Sequence, residues 1–308
     1  MSRYRNAGLF VALAAVWGSA FMAIKVGLEY FPPVLFAALR YDVAAVVMLG
    51  YVAVASERRR PRGRDEWWLV FVGGALLIAG YHAFLFVGEQ YTTSAVAAVV
   101  VSLSPVLTTG FARVLLPSER LTPVGIAGLF LGLVGVAVLS APDAGNLLSA
   151  DVVGKALVFA AAVSFALGSV LTRRVDTDLP METMEAWSMV LGALLMHAAS
   201  VARPGESLAA VEWAPEALWA LAYLSVAASA LGFLIYFDLL ERLGPIEINL
   251  VSYVAPMFAA LSGWWFLDEG IDLATVAGFL VIFAGFCLVK RETLARELPR
   301  LRATVSRR

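Results

Sequence analysis

Long apolar runs separated by short polar clusters divide this 308-residue chain from end to end. A helix needs roughly 20 apolar residues to cross the hydrocarbon core, where water is absent and every backbone group must be bonded within the segment. Ten segments meet that requirement: Ala7 to Tyr30, Pro33 to Ala55, Trp67 to Gly88, Ser94 to Leu116, Thr122 to Ser140, Val152 to Thr172, Met181 to Ala202, Pro215 to Leu240, Ile248 to Leu267 and Leu273 to Val289. The pattern predicts an all-α integral membrane protein with ten transmembrane helices. The first run follows Arg3 and Arg5, as a secretory signal would. It lacks a small-residue cleavage site and many spans follow, so it is expected to be a retained helix.

Composition agrees with the pattern. Hydrophobic residues make up 61% of the chain and charged residues 15%, against about half and about a quarter in soluble domains. The mean hydropathy is +0.82. The net charge of −1 gives no case for a nucleic-acid partner, and the single cysteine, Cys287, excludes an internal disulfide and a cysteine-built metal site. Cys287 is expected to be a packed thiol of the last span.

The basic residues are informative by position. With the N-terminus inside, the cytoplasmic segments collect Arg3, Arg5, the cluster Arg58, Arg59, Arg60, Arg62 and Arg64, then Arg113, Arg120, Arg173, Arg174, Arg242 and the tail from Lys290. Only Lys155 and Arg203 fall in outer loops, which leaves Lys25 and Arg40 inside spans. The positive-inside rule therefore puts both termini in the cytoplasm of a plasma-membrane protein. The clusters set topology and contact anionic lipid.

The two halves of the chain match at an offset of about 150 residues. Glu119, Thr122, Gly128 and Gly135 correspond to Glu269, the segment Asp272 to Thr275, Gly278 and Gly285. Pro105 corresponds to Pro256, and Gly18-Ser19 to Gly168-Ser169. Each half holds five spans, an odd number, so the second copy enters the membrane from the opposite side. An inverted repeat of this kind can open a midplane site alternately to each face.

These residues resemble the drug/metabolite transporter superfamily, in its EamA-type branch. The tract Trp17-Gly18-Ser19-Ala20-Phe21 with Lys25, Pro33, Ala37 and Arg40 is similar to the opening signature of that family. The proline of span four and the glutamate before a glycine-bearing fifth span are similar to its closing signature. The resemblance implies two inverted five-helix repeats around a central cavity, with the fifth and tenth spans peripheral. The expected division is 1–141 and 152–290 for the repeats, 142–151 for an outer linker and 291–308 for a basic cytoplasmic tail. No lysine or arginine of the second copy matches Lys25 and Arg40, so charge recognition would be asymmetric.

Ionisable groups inside a bilayer are costly, about 2.5 to 3.5 kcal/mol each on insertion scales, and usually line a cavity or pair with one another. At about 1.5 Å per residue, Lys25 and Glu89 come near the outer surface. Arg40, Asp42 and His82 lie roughly 10 to 15 Å below it on the same rise. One reading gives Lys25 and Arg40 an anionic group of the solute to bind, with Asp42, His82 or Glu89 changing protonation during the cycle. The other is structural: Arg40 pairs with Asp42 or Glu89, Lys25 snorkels outward, Glu89 is by default an exposed helix end, and His82 is a neutral core histidine. His197, without a charged neighbour in its own span, is expected to be structural.

Trp17, Tyr81, Phe84, Tyr236, Tyr253 and Trp264 lie on spans that line the cavity in the resembled fold, as an apolar wall for the solute. Trp67, Trp68, Trp213 and Trp219 are expected as interface anchors. Pro105 and Pro256 each remove a backbone hydrogen bond and are either paired hinges or static bends. The stripe Gly125, Gly128, Gly132 and Gly135 offers a smooth face for close helix packing.

No convergent nucleophile and base, P-loop or two-histidine metal motif is present in the sequence, so an enzyme, a metal site or another cofactor is not expected. The expectation is a secondary transporter or facilitator for small metabolites such as amino acids or related amphipathic solutes, working by alternating access. Export is inferred from the resemblance. Its partners are the solute, the bilayer and protons, and it works as a monomer or a homodimer. The alternatives are a carrier of a lipid-linked or phosphorylated solute, and a non-transporting membrane scaffold.

Overall fold

The computed structural model of the chain describes residues 2–116, 123–140, 148–289 and 291, and these are helical with short connections and no strand. Among them, eight helices are long and apolar enough to cross a membrane: α1 (Tyr4–Leu28), α2 (Pro33–Ala55), α3 (Gly63–Glu89), α4 (Ser94–Leu115), α6 (Ala150–Arg174), α7 (Met181–Val201), α8 (Pro215–Leu243) and α9 (Glu247–Leu267). Two shorter apolar helices, α5 (Pro123–Leu139) and α10 (Leu273–Val289), complete the order. The protein is thus a helical, multi-pass membrane protein. Glu119, Arg120, Thr122, Lys290, most of the 142–151 linker and the tail beyond residue 291 lie outside the described residues.

Several helices extend beyond the hydrophobic pattern, because a cap ends a helix where hydropathy alone does not. α3 begins at Gly63, four residues before Trp67, with Asp65 and Glu66 in its first turn, where the helix dipole favours acids. α6 begins at Ala150 because the Ser149 hydroxyl accepts from Val152 N. α8 runs on to Leu243 and ends against Gly244, whose φ of 84° an L-residue adopts only with strain. Asp272 caps α10 by accepting from Thr275 N and from the Thr275 hydroxyl, and these two bonds hold its carboxyl below the usual range.

The sequence marks Pro105 and Pro256 as bends in α4 and α9, and the structure shows four spans that are not uniform α-helices. α3 is π-helical over Gly73–Gly80 and α8 over Tyr223–Leu231, and the two stretches begin 150 residues apart. α4 is interrupted at Ser102 and Leu103, just before Pro105, where the Ser102 and Ser104 hydroxyls bond to Val99 O and Val101 O. α9 is interrupted at Leu250, whereas Pro256 sits inside its longer helical segment. The two prolines therefore occupy different local settings.

The packing pairs helices across the two halves. α1 packs on α9 and α4 on α6; α3 packs on α6 and α1 on α8; α3 packs on α7 and α2 on α8. Further pairs across the halves are α2 with α7, α4 with α9 and α5 with α10, and α4 also touches α10. The α2 and α7 pair is antiparallel, since Asp42 meets His197 while Ser56 meets Thr183. So is the α5 and α10 pair, with Gly128 against Gly285 and Gly135 against Gly278. At this last contact the backbones touch: a Cβ on Gly285 would stand 2.7 Å from Gly128 O, and one on Gly135 would stand 2.9 Å from Gly278 O. Small residues allow this approach, which substitutes for the hydrophobic effect that lipid cannot supply.

Gly50 of α2 gives a contrast, because a Cβ there meets nothing within 4 Å. We expect Gly285→Ala to destabilise the protein by about 1 to 3 kcal/mol through overpacking. Gly50→Ala, by comparison, should leave the detergent melting temperature unchanged or slightly raised.

Candidate functional site

The polar groups of the outer half are set in place from the start of α2. Pro33 occupies the first turn, and the Glu206 carboxylate accepts from Val34 N at 3.3 Å and Leu35 N at 2.9 Å. About two turns deeper, Arg40 is 6% exposed. Its Nε donates to Ser229 Oγ at 2.9 Å, and that hydroxyl donates to Leu224 O, five residues back in the π-helical stretch of α8. The guanidinium lies 5.3 Å from the Tyr41 ring centre and 5.9 Å from that of Phe86. Among the described residues no carboxylate forms an ion pair with it.

The structural pairing of Arg40 with Asp42 or Glu89 is therefore not made. Residues two apart on a helix do not share a face, and Asp42 turns instead to α7, where its Oδ2 lies 2.7 Å from His197 Nε2. Both side chains of that pair are partly exposed. Glu89 is not an exposed helix end: it is fully buried, and neither of its carboxylate oxygens has a hydrogen-bond partner. Lys25 stays close by, but its Nζ donates to the main-chain carbonyl of Glu89 at 3.0 Å, so its charge acts on the acid without a hydrogen bond to the carboxylate. Just beyond, the Glu269 carboxylate accepts from Ser94 N and Ser94 Oγ at the start of α4.

His82 is buried beside Tyr41. Its Nδ1 lies 2.9 Å from Ile78 O in the π-helical stretch of α3, and its Nε2 lies 2.9 Å from the Tyr41 hydroxyl. A carbonyl only accepts, so Nδ1 carries a hydrogen and, in the neutral ring, Nε2 accepts from Tyr41. Tyr81 stands perpendicular to His82 at 4.5 Å and reaches Phe165 of α6 at 5.4 Å.

The candidate aromatic residues are not gathered on one wall. Trp17 and Tyr236 come together at 5.5 Å with Phe233 beside them, and Trp17 Nε1 donates to Ala228 O. Tyr253 packs instead on Phe286 and Phe283 of α10. Trp264 is exposed beside Trp265 near the end of α9, and Phe84 is also exposed. Trp67, Trp68, Trp213 and Trp219 are each about half exposed, as befits interface anchors.

Several groups at the site carry little signal in the sequence. Ser229 and the Ser19–Tyr223 hydroxyl pair, 2.7 Å apart, resemble any other small polar residues in an apolar run. The two π-helical stretches, GGALLIAG and YLSVAASAL, begin at matching positions of the repeat but share no residue at that offset. Glu185, 4% exposed with its Oε1 unpartnered, is an acid inside α7 that is not among the candidates the sequence offers. Among the described residues no group of three or more His, Cys, Asp or Glu is arranged to hold a metal ion.

Known proteins give the site a context. A family model described as the EamA-like transporter family matches the chain twice, over residues 6–141 and 152–291. The uncharacterized transporter YvbV of Bacillus subtilis (strain 168) is 28% identical over 298 residues, covering 96% of this chain and 95% of the relative. The uncharacterized inner membrane transporter YedA of Escherichia coli (strain K12) is 29% identical, covering 83% of this chain and 81% of the relative. A crystal structure of another protein, 23% identical, superposes with a TM-score of 0.64 over 93% of this chain and 97% of its own, a likeness of fold.

The Tyr41–His82 bond is directly testable. Tyr41→Phe removes the donor and leaves Nε2 buried and unsatisfied, which should lower stability by about 1 to 3 kcal/mol in thermal unfolding in detergent. An unchanged melting temperature would place the hydroxyl outside the network.

Proposed function

The chain belongs to the EamA-like transporter family, and from that membership we propose that it exports amino acids or related small amphipathic solutes across the plasma membrane by alternating access. In this reading both termini are cytoplasmic. The shorter helices α5 and α10 count as spans, and two inverted five-helix repeats surround a central path. Support for the repeat comes from the packing. Exchanging α1–α5 with α6–α10 turns the α1 and α9 contact into that of α6 and α4, and α3 on α6 into α8 on α1. The same exchange turns α3 on α7 into α8 on α2, and it leaves α2 with α7, α4 with α9 and α5 with α10 unchanged. Two of those self-matched pairs run antiparallel, as copies of opposite orientation would.

The observation that carries the solute class is the buried Arg40 without an acidic partner. An arginine taken out of water is held there by compensating anions or dipoles. Ser229 satisfies Nε alone, which leaves the fork of the guanidinium to take a carboxylate with two hydrogen bonds. The neighbouring apolar and aromatic surface suits the rest of an amphipathic solute. Because Arg40 bridges α2 of one half to α8 of the other, a bound anion bears on the contact that must change when access alternates.

Glu89, buried without a partner beside Lys25, is the group best placed on the outer side to take up a proton during the cycle. Arg40 and Glu89 lie on different helices of the same half, so anion binding and proton uptake can influence each other through the field between them.

Solute counterflow in liposomes, with a panel of labelled amino acids, tests the reading. Arg40→Gln should lower the rate at least about tenfold, the equivalent of one lost charge-assisted bond, with Arg40→Lys in between. Normal counterflow by a folded Arg40→Gln protein would remove the assignment. An imposed pH gradient should drive accumulation by the wild type, and Glu89→Gln should weaken that response; transport indifferent to the gradient would end the proton reading.

A further inference from the structure

Glu185 is a second buried acid with an unpartnered oxygen, and it lies near the start of α7, at the opposite end of the bundle from Glu89 at the end of α3. It lies one turn inside the start of α7, next to Thr183, whose hydroxyl bonds to Ser56 Oγ and Arg58 O at the end of α2. Its Oε1 has no partner, and among the described residues no basic side chain forms an ion pair with it.

Helices α2, α3 and α8 pack on α7. Their inner halves carry Tyr51 on α2, Arg64, Asp65 and Glu66 on α3, and Tyr236, Asp238, Glu241 and Arg242 on α8, with Tyr41 further out on α2. Glu66 is taken by Arg58 and by Arg62 N, and Asp238 by Arg242 and Arg5. Tyr41 and Tyr236 are the groups within electrostatic reach of Glu185.

The fold itself does not require an acid here. The matching position of the first half, 150 residues earlier, is Leu35, which is apolar and 4% exposed. A carboxylate with no counter-charge is costly in such surroundings, whereas a carboxyl carrying a proton is tolerated. The retained acid therefore fits a group that is uncharged in this closed setting and gives up its proton when water reaches it. We propose that Glu185 binds and releases the coupling proton at the cytoplasmic end of the transport path, as Glu89 does at the outer end. This rests on the transporter reading above and adds the inner terminus of its proton route. Loss of the proton from the carboxyl oxygen to water leaves a carboxylate, and uptake reverses the step, so no other reactant is needed.

The test uses the purified full-length protein and N,N′-dicyclohexylcarbodiimide, an apolar reagent that forms stable adducts with protonated carboxyls shielded from water. Peptide mass mapping should find the adduct on Glu185, with at least about tenfold more at about pH 6 than at about pH 9. Glu185→Leu, which copies the first half, should melt at or above the wild-type temperature, the opposite of what a structural role predicts. In liposomes that variant should lose at least about tenfold of the leucine or phenylalanine accumulation driven by a pH gradient, with partial recovery in Glu185→Asp. Absence of the adduct across the pH range, or undiminished accumulation by folded Glu185→Leu protein, overturns the proposal. Failure of wild-type counterflow instead overturns the transporter reading, and the carbodiimide result separates the two.

Discussion

The absence of water from the hydrocarbon core governs this structure, because every polar group that enters the core must find its partner inside the protein. The helices meet the requirement for most of the backbone, and the irregular stretches show how the remainder is met. Trp17 of α1 donates to Ala228 O in the π-helical part of α8, and Ser164 of α6 donates to Leu76 O in the π-helical part of α3. In each case a side chain of one half serves a carbonyl of the other. Groups left outside this scheme stand out: Arg40 without an ion-paired acid, and Glu89 and Glu185 with carboxylate oxygens that no hydrogen bond satisfies. They lie on helices that pack across the two halves.

Duplication supplies the frame and asymmetry supplies the chemistry. The crossed glycines of α5 and α10 bring backbone against backbone, so this pair acts as a tight seam. The functional side chains are not duplicated in the same way. Arg40 corresponds to Val190, Lys25 to Val175 and Glu185 to Leu35. Under the proposed function, two similar scaffolds of opposite orientation would carry one anion-binding group in one half and single acids at either end. A solute would be recognised within one half while both halves share the motion.

Much of this frame was legible in the sequence. The helical, multi-pass character, the order of the apolar helices and the glycines that match at an offset of 150 residues follow from hydropathy and spacing, which act over a whole segment and tolerate local error. Side-chain partners were less legible, because they depend on helix rotation and on contacts far apart in sequence. Asp42 sits two residues from Arg40, but the helix turns it away to His197, 155 residues along the chain. Ser229 sits in the π-helical stretch of α8, where its hydroxyl reaches Leu224 O five residues back, and composition alone does not announce such a turn. Glu185 lies near a helix end, where an acid is ordinarily solvated; its burial emerges only when α2, α3 and α8 close over it.

The central claim is that corresponding segments of the two halves face opposite sides of the membrane. Arg62 and Glu212 are exposed at the starts of α3 and α8 and stand 150 residues apart. Single cysteines at these positions, in a Cys287→Ser background, can be probed in intact cells with a maleimide that does not cross membranes. The account predicts that Glu212→Cys is labelled from outside and Arg62→Cys only after the membrane is permeabilised. Labelling of both from the same side would contradict it.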